Sequence, residues 1–299
     1  MNYKKLIRSQ KLRLKILKSI DFLPDILMIK LQYKISTGRK LNIKEPRRFT
    51  EKIQWYKLNY RDPLMVKCSD KYEVREYISS KGYSDILVPL YGVYNTAEEI
   101  NFEELPNQFV LKTTNGSHTN IICEDKSTLD IEATKNKLNN WLTAWEGKVG
   151  REWAYYGIKP KIICEKLLEK DQNNDLIDYK FFCFNGKPFS LYVIVERYLK
   201  DGIKLGIFDT EFNKLSYHRD DIPELKKSIN KPEKFEEMLE IAKDLSQDFP
   251  HVRVDLYNIN GKIYFGELTF YTGSGYHGYS PDEFDYILGE RFHIPAQIK

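Results

Sequence analysis

Apolar and polar positions repeat along this chain with two periods. Over residues 1–36, Leu6, Leu12, Leu14, Ile16 and Leu17 are set among Lys and Arg, and Ile26, Ile29 and Leu31 continue the pattern. The segment is predicted helical, with an apolar and a charged face. Such a face packs on the body of a protein or lies on a membrane surface, and the pattern does not separate the two. Ser69 is a candidate cap for a helix through Asp70, Lys71, Val74, Tyr77 and Ile78, with Gly82 just past its end. Residues 128–145 read as helix, with Leu138, Trp141, Leu142 and Trp145 on one stripe expected to be core. Pro232 opens another, with Phe235, Met238, Leu239, Ala242 and Leu245 on one face, and Ser280-Pro281 starts the last.

Period-two and short apolar runs predict strands at 87–94, 109–112, 121–123, 162–168, 179–184, 189–195, 204–208, 252–256 and 263–268. Asn185-Gly186 and Asn260-Gly261 lie between such runs and are hairpin turns by composition. Hairpins beside helices, without strict strand–helix alternation, predict an α+β fold.

Composition supports a folded body. The chain has 299 residues, 41% of them apolar and 14% aromatic, enough for two modest domains or a core with an added arm. Cys68, Cys123, Cys164 and Cys183 form no CxxC pair and are expected as reduced core thiols, which fits a cytoplasmic location. The first twenty residues carry no signal-peptide pattern, and the apolar run at 22–31 is short and holds Asp25 and Lys30. Charge is unevenly placed. Residues 1–48 hold fourteen Lys and Arg against three Asp and Glu, on a chain whose net charge is only +4. A basic arm on an acidic body points to an anionic surface or substrate.

Three segments carry candidate chemistry. In 252–256, Arg253 and Asp255 alternate with Val252, Val254 and Leu256, so both charges share one face. In the facing run, Glu267 and Thr269 share a face. Two carboxylates suit Mg²⁺, and the arginine suits a phosphoryl group in transfer; a solvated face of cross-strand ion pairs has the same pattern. Lys112 ends an apolar strand before Asn115-Gly116-Ser117-His118, a turn able to cradle phosphate, although no GxxxxGK[ST] is present. The run 162–168 ends in Glu165, Lys166, Leu167 and Leu168, a strand end that presents backbone groups and one carboxylate. The five histidines are scattered, with no HExxH and no GxSxG, so zinc and serine hydrolysis have no support. No nucleic-acid-binding motif occurs either.

Taken in order, these fragments resemble the ATP-grasp superfamily, and within it the TupA-like branch associated with teichuronopeptide and other bacterial surface polymers. The resemblance rests on Arg253-Val254-Asp255-Leu256-Tyr257 followed by Gly261 to Thr269, similar to the R-x-D and E-x-N strands of ligases such as D-Ala–D-Ala ligase. It covers about 45–290, including the stretch from Pro46 to Trp55. It implies ATP and Mg²⁺ as cofactors, with Asp255, Glu267 and Thr269 at the metal and Arg253 and Lys180 in catalysis. Thr269 stands where Asn is usual, which weakens a second metal site. The resemblance also makes Lys71 the first ATP-contacting lysine and Lys112 the ATP-binding lysine of the lid, places Asn115, Gly116 and Ser117 in the loop that covers the phosphates, and assigns Glu165 and Leu167 to adenine and Asp178 to ribose or phosphate.

The implied division is a basic helical arm (1–68), the first part of the core (69–108), a lid (109–164) and a C-terminal metal- and ATP-binding part (165–299). The implied activity is carboxylate–amine ligation through an acyl phosphate, in surface polysaccharide synthesis. A sugar kinase on the same fold, a glycosyltransferase-type protein and a non-catalytic assembly factor are the rivals. The expected partner is a small molecule or glycan, lipid-linked in one version, with peripheral contact at the inner face of the membrane through the basic arm and no nucleic acid.

Overall fold

The structure, a computed structural model, describes residues 17, 19–143, 149–171, 174–197 and 202–295. The apolar pattern over Leu6, Leu12, Leu14 and Ile16, and Trp145 of the later stripe, lie outside these residues.

The first described helix, α1 (Asp25–Thr37), buries Met28, Ile29, Gln32 and Tyr33 and ends at Gly38, whose φ of 75° suits a residue without Cβ. Helix α2 (Phe49–Asn59) follows, and the Glu51 carboxylate accepts the N–H groups of Arg47 and Arg48 at its start. In α3 (Pro63–Ser69), Asp62 caps and Pro63 occupies the first turn. Helix α4 (Val74–Ser80) corrects one expectation. Ser69 closes α3 instead of capping α4, and its hydroxyl has no partner among the described residues. Asp70 takes the capping role, accepting from the N–H groups of Tyr72 and Glu73 at 2.7 and 2.9 Å. A carboxylate is the stronger acceptor and also favours the positive end of the helix.

Two antiparallel sheets form the body. The first contains β1 (Leu90–Tyr94), β2 (Phe109–Thr113), β3 (Asn120–Cys123) and β4 (Ile162–Glu165) in the order β1-β4-β2-β3. Helix α5 (Ile131–Leu142) backs it, and Leu138, fully buried with Trp141 and Leu142 against it, delivers the predicted stripe. Burying such a leucine contributes about 2 kcal/mol. The second sheet contains β5 (Asp178–Phe184), β6 (Lys187–Val195), β7 (Lys204–Asp209), β9 (His251–Ile259) and β10 (Lys262–Thr269), ordered β10-β9-β5-β6-β7. A small ladder joins β8 (His218–Arg219) to β11 (Tyr279–Ser280). The Asn185-Gly186 and Asn260-Gly261 turns close the β5–β6 and β9–β10 hairpins, all four residues having positive φ.

Helix α6 (Phe235–Ser246) covers one face of the second sheet with Phe235, Met238, Ala242 and Leu245. The opposite face is divided. At one end, Phe182, Phe184 and His251 are sealed by Phe49 of α2 and by Phe292, with ring centroids 4.8–6.4 Å apart. The other end is left open toward the first sheet. Helix α7 (Glu283–Arg291) locks onto α2, because the buried Asp285 carboxylate accepts from the Thr50 N–H and hydroxyl at 2.9 and 2.8 Å. All four cysteines are buried and free, and burial pushes the Cys68, Cys164 and Cys183 thiols up to about 12. Among the described residues no helix is long and apolar enough to cross a membrane.

Candidate functional site

The open end of the second sheet is charged because of strand alternation and one bulge. On β9, Val252, Val254 and Leu256 enter the core under α6, so Arg253, Asp255 and Tyr257 face the opening. Strict alternation on β10 would put Phe265 and Glu267 on one face. The register instead pairs Phe265 with Leu256 and Glu267 with Asp255, skipping Gly266. This bulge sends Phe265 into the core and turns Glu267 and Thr269 to the opening. Gly266 suits the bulge, since a Cβ would lie 3.0 Å from the Asp255 carbonyl oxygen and the backbone would have to give by a few tenths of an ångström. On the other side of β9, β5 places Lys180 opposite Asp255 and Asp178 opposite Tyr257.

The side chains form one ionic network. Arg253 donates to both Asp255 oxygens, at 2.6 and 2.7 Å, and reaches Glu267 at 3.1 Å and the Thr269 hydroxyl at 3.0 Å. The Thr269 hydroxyl donates to Glu267 at 3.1 Å. Lys180 binds Asp255 and lies 3.6 Å from Asp178, which also receives Arg197. Burial would raise the Glu267 carboxyl, but Lys180, Arg253 and Lys71 outweigh it and hold it at about 2. Glu267 is thus anionic, and 45% of its side chain stays open to the cleft. Burial pushes the Arg253 guanidinium down, Asp255 more than reverses this, and the net direction is up.

The first sheet supplies the facing wall. Lys112 on β2 donates to Glu165 at 2.7 Å, and Arg75 reaches the other Glu165 oxygen at 3.4 Å. The Glu165 carboxylate therefore holds two cations as well as edging the cavity. Lys71 donates from Nζ to the Gly116 carbonyl at 2.6 Å, tying the start of α4 to the loop after β2. Burial lowers the Lys71 ammonium pKa, Glu267 opposes that and Lys112 adds to it.

Between the sheets lies a cavity of about 560 Å³. It shares Lys71, Lys112, Asn120, Tyr257 and Gly266 with a smaller chamber of about 120 Å³. The smaller chamber has aliphatic walls, among them Val88, Val110, Ile122 and Leu168, beside Glu165 and Leu167. An aromatic base suits such walls, and an anionic chain suits the lysines at the junction.

Of the expected residues, Arg253, Lys180, Asp178, Asp255, Glu267, Thr269, Lys71, Lys112, Gly116 and Ser117 line the larger cavity, and Glu165 and Leu167 the smaller. Asn115 lines neither. Its carbonyl accepts from the Thr113 and Thr119 hydroxyls at 3.3 and 3.4 Å, and its side-chain oxygen is buried without a partner among the described residues. The loop turns at Gly116, with φ of 73°, so only residues after Asn115 reach the opening.

Sequence reasoning missed Glu152, Arg197, Tyr257, Ser274 and His277, which also line the cavity. Tyr257 was legible, since it continues the Arg253–Asp255 alternation. The others sit on irregular segments with no periodic signal.

Among the described residues no three His, Cys, Asp or Glu side chains gather as metal ligands. Asp255 and Glu267 are an opposed pair of carboxylates, and Mg²⁺ commonly takes one or two carboxylates together with phosphate oxygens. The donor set therefore fits Mg²⁺ brought in with a polyphosphate. Thr269, already tied to Arg253 and Glu267, adds only a hydroxyl.

The family model of TupA-like ATP-grasp proteins matches residues 51–293. No curated protein matches the chain. Among solved structures, D-alanine–D-alanine ligase from Bacillus anthracis complexed with ATP is similar at 15% identity and a TM-score of 0.43, over 68% of this chain and 55% of that one. L-amino acid ligase from Bacillus licheniformis is similar at 15% and 0.44, over 70% and 44%. The ATP-grasp ligase PsnB, complexed with a precursor variant, Mg and ADP, is similar at 13% and 0.41, over 71% and 53%. The chain spans about half the length of these proteins.

Proposed function

This chain belongs to the TupA-like ATP-grasp family, and on that premise we propose that it is an ATP- and Mg²⁺-dependent carboxylate–amine ligase. The observation that carries the reading is the cleft itself: the Arg253–Asp255–Glu267–Lys180 network faces Lys71 and Lys112 across one continuous cavity.

The base of ATP takes the smaller chamber, against the chain between Glu165 and Leu167. Lys71, Lys112 and the turn at Gly116 and Ser117 hold the phosphates, and residues 109–164 act as the lid. Asp178 serves the ribose or a phosphate. Asp255 and Glu267 would hold Mg²⁺, which neutralises charge on the phosphate oxygens when bound. Arg253 and Lys180 stabilise the phosphoryl group in transfer.

A substrate carboxylate oxygen attacks the terminal phosphorus and ADP departs. An amine nitrogen then attacks the acyl carbon, loses a proton and expels phosphate. Closing two sheets over the cleft keeps water from the acyl phosphate. The family's name connects it with surface polymers, so the carboxylate is assigned to a sugar acid and the acceptor to an amino compound of surface polysaccharide synthesis.

The test is calorimetric ATP binding with and without Mg²⁺, followed by phosphate release with sugar acids and amines. Phosphate released only when both are present supports ligation. A stable phosphorylated sugar favours a kinase, turnover of nucleotide sugar without ATP favours glycosyl transfer, and unchanged ATP affinity in Lys112→Ala/Glu267→Gln favours a non-catalytic assembly role.

A further inference from the structure

Helix α1 has two apolar faces, and among the described residues only the inner one is packed. The inner face is fixed by Met28, Ile29 and Tyr33, by the Tyr33 hydroxyl on Thr50 at 3.1 Å, and by Gln32 donating to the Val149 carbonyl at 2.8 Å. Leu27, Leu31 and Ile35 follow one another at four-residue intervals on the outside, exposed by 50%, 40% and 38%, with Phe22 before them at 82%. Nine large apolar side chains are exposed among the described residues, and four of them are here, so this is a patch and not scatter.

The charges beside the stripe are of one sign. Lys30 and Lys34 are exposed on the same side of the helix. The nearby acids, Asp21 and Asp25, are turned to Arg151, at 2.6 and 3.3 Å. The surrounding segment, residues 1–48, has fourteen basic residues against three acidic ones. Apolar side chains flanked by lysines that carry their charge on long aliphatic stems match the boundary between anionic headgroups and acyl chains.

We propose that this outer face of α1 docks on an anionic lipid surface, with Phe22, Leu27, Leu31 and Ile35 entering the apolar boundary and Lys30 and Lys34 meeting the headgroups. The same helix is tied to the wall of the cleft. Gln32 accepts from the Tyr276 hydroxyl at 2.8 Å, and Arg151, which holds Asp21, adjoins Glu152 of the cavity lining. Docking would therefore fix the orientation of the cleft at the surface, as a lipid-carried acceptor requires. That consequence rests on the ligase reading; the docking face does not, and its test uses no nucleotide.

The full-length chain is sedimented with vesicles of phosphatidylcholine mixed with phosphatidylglycerol, and with vesicles of phosphatidylcholine alone. The expected result is binding to the anionic vesicles that weakens with salt. Leu27→Gln/Leu31→Gln, neutral and helix-compatible, is expected to lower the partition coefficient about tenfold or more, with the thermal midpoint unchanged. Lys30→Glu is expected to lower it several-fold. Three results overturn the proposal: no binding to anionic vesicles; wild-type partitioning retained by the double Gln variant, which would assign binding to the basic residues alone; or a dimer in light scattering that the double Gln variant converts to monomer, which would assign the stripe to a second copy.

Discussion

Asp255→Asn removes one charge from the centre of the network while keeping its shape. The Asp255 side chain is 2% exposed, and its cationic partners Arg253 and Lys180 are 10% and 12% exposed. Breaking a buried ion pair by neutralising one partner costs about 3–5 kcal/mol. Here Arg253 keeps Glu267 at 3.1 Å and Lys180 keeps Asp178 at 3.6 Å, so the expected loss is about 2–3 kcal/mol, or a thermal midpoint lower by about 3–5 °C. Thermal and urea unfolding measure this, and a loss below about 0.5 kcal/mol would refute the assignment of a buried ion pair. Binding separates the structural role from the metal role. Without Mg²⁺, the variant cleft has one less negative charge, and ATP binding is expected to hold or strengthen. With Mg²⁺, the enhancement is expected to fall about tenfold or more, because a ligand carboxylate is gone. Equal enhancement in variant and wild type would show that Asp255 only positions Arg253 and Lys180.

Three further outcomes follow from the same geometry. Gly266→Ala places a Cβ 3.0 Å from the Asp255 carbonyl; it is expected to destabilise by about 1–3 kcal/mol and to weaken Mg²⁺-dependent ATP binding, and a variant that binds like wild type would refute the need for a bare bulge. Lys112→Ala should lower ATP affinity about tenfold while leaving Glu165 paired with Arg75, so the fold is expected to survive; circular dichroism and calorimetry check both. Burial depresses His251 from its usual 6.5 to about 3, so between these values the unfolded chain takes up a proton that the folded chain refuses. Stability should fall as the pH drops through that window, by up to about 1.4 kcal/mol per pH unit, and His251→Leu should flatten that part of the pH–stability curve in urea titrations.

Much of the fold was written in local pattern. The hairpin turns at Asn185-Gly186 and Asn260-Gly261 need only two residues each, and the stripes of α5 and α6 need only their own periodicity. The first candidate-site contacts were equally local, since Arg253 and Asp255 share a face by alternation. The Ser69 cap failed because Asp70, one residue on, offered a better acceptor within the same turn.

The chain order of Lys71, Lys112, Glu165, Asp255 and Glu267 was available from sequence because each sits on or beside a periodic element. Their meeting was not, because it depends on which strands pair. Only the tertiary structure put β5 beside β9, opposing Lys180 to Asp255, and only the bulge at Gly266 turned Glu267 to the cleft while Phe265 stayed in the core. Glu152, Ser274 and His277 reached the cavity through packing of irregular segments, and the outer stripe of α1 became visible only once its inner face was seen to be occupied. Periodicity is a property of neighbours along the chain, whereas opposition across a cleft is set by non-local pairing and by what each buried face has already covered.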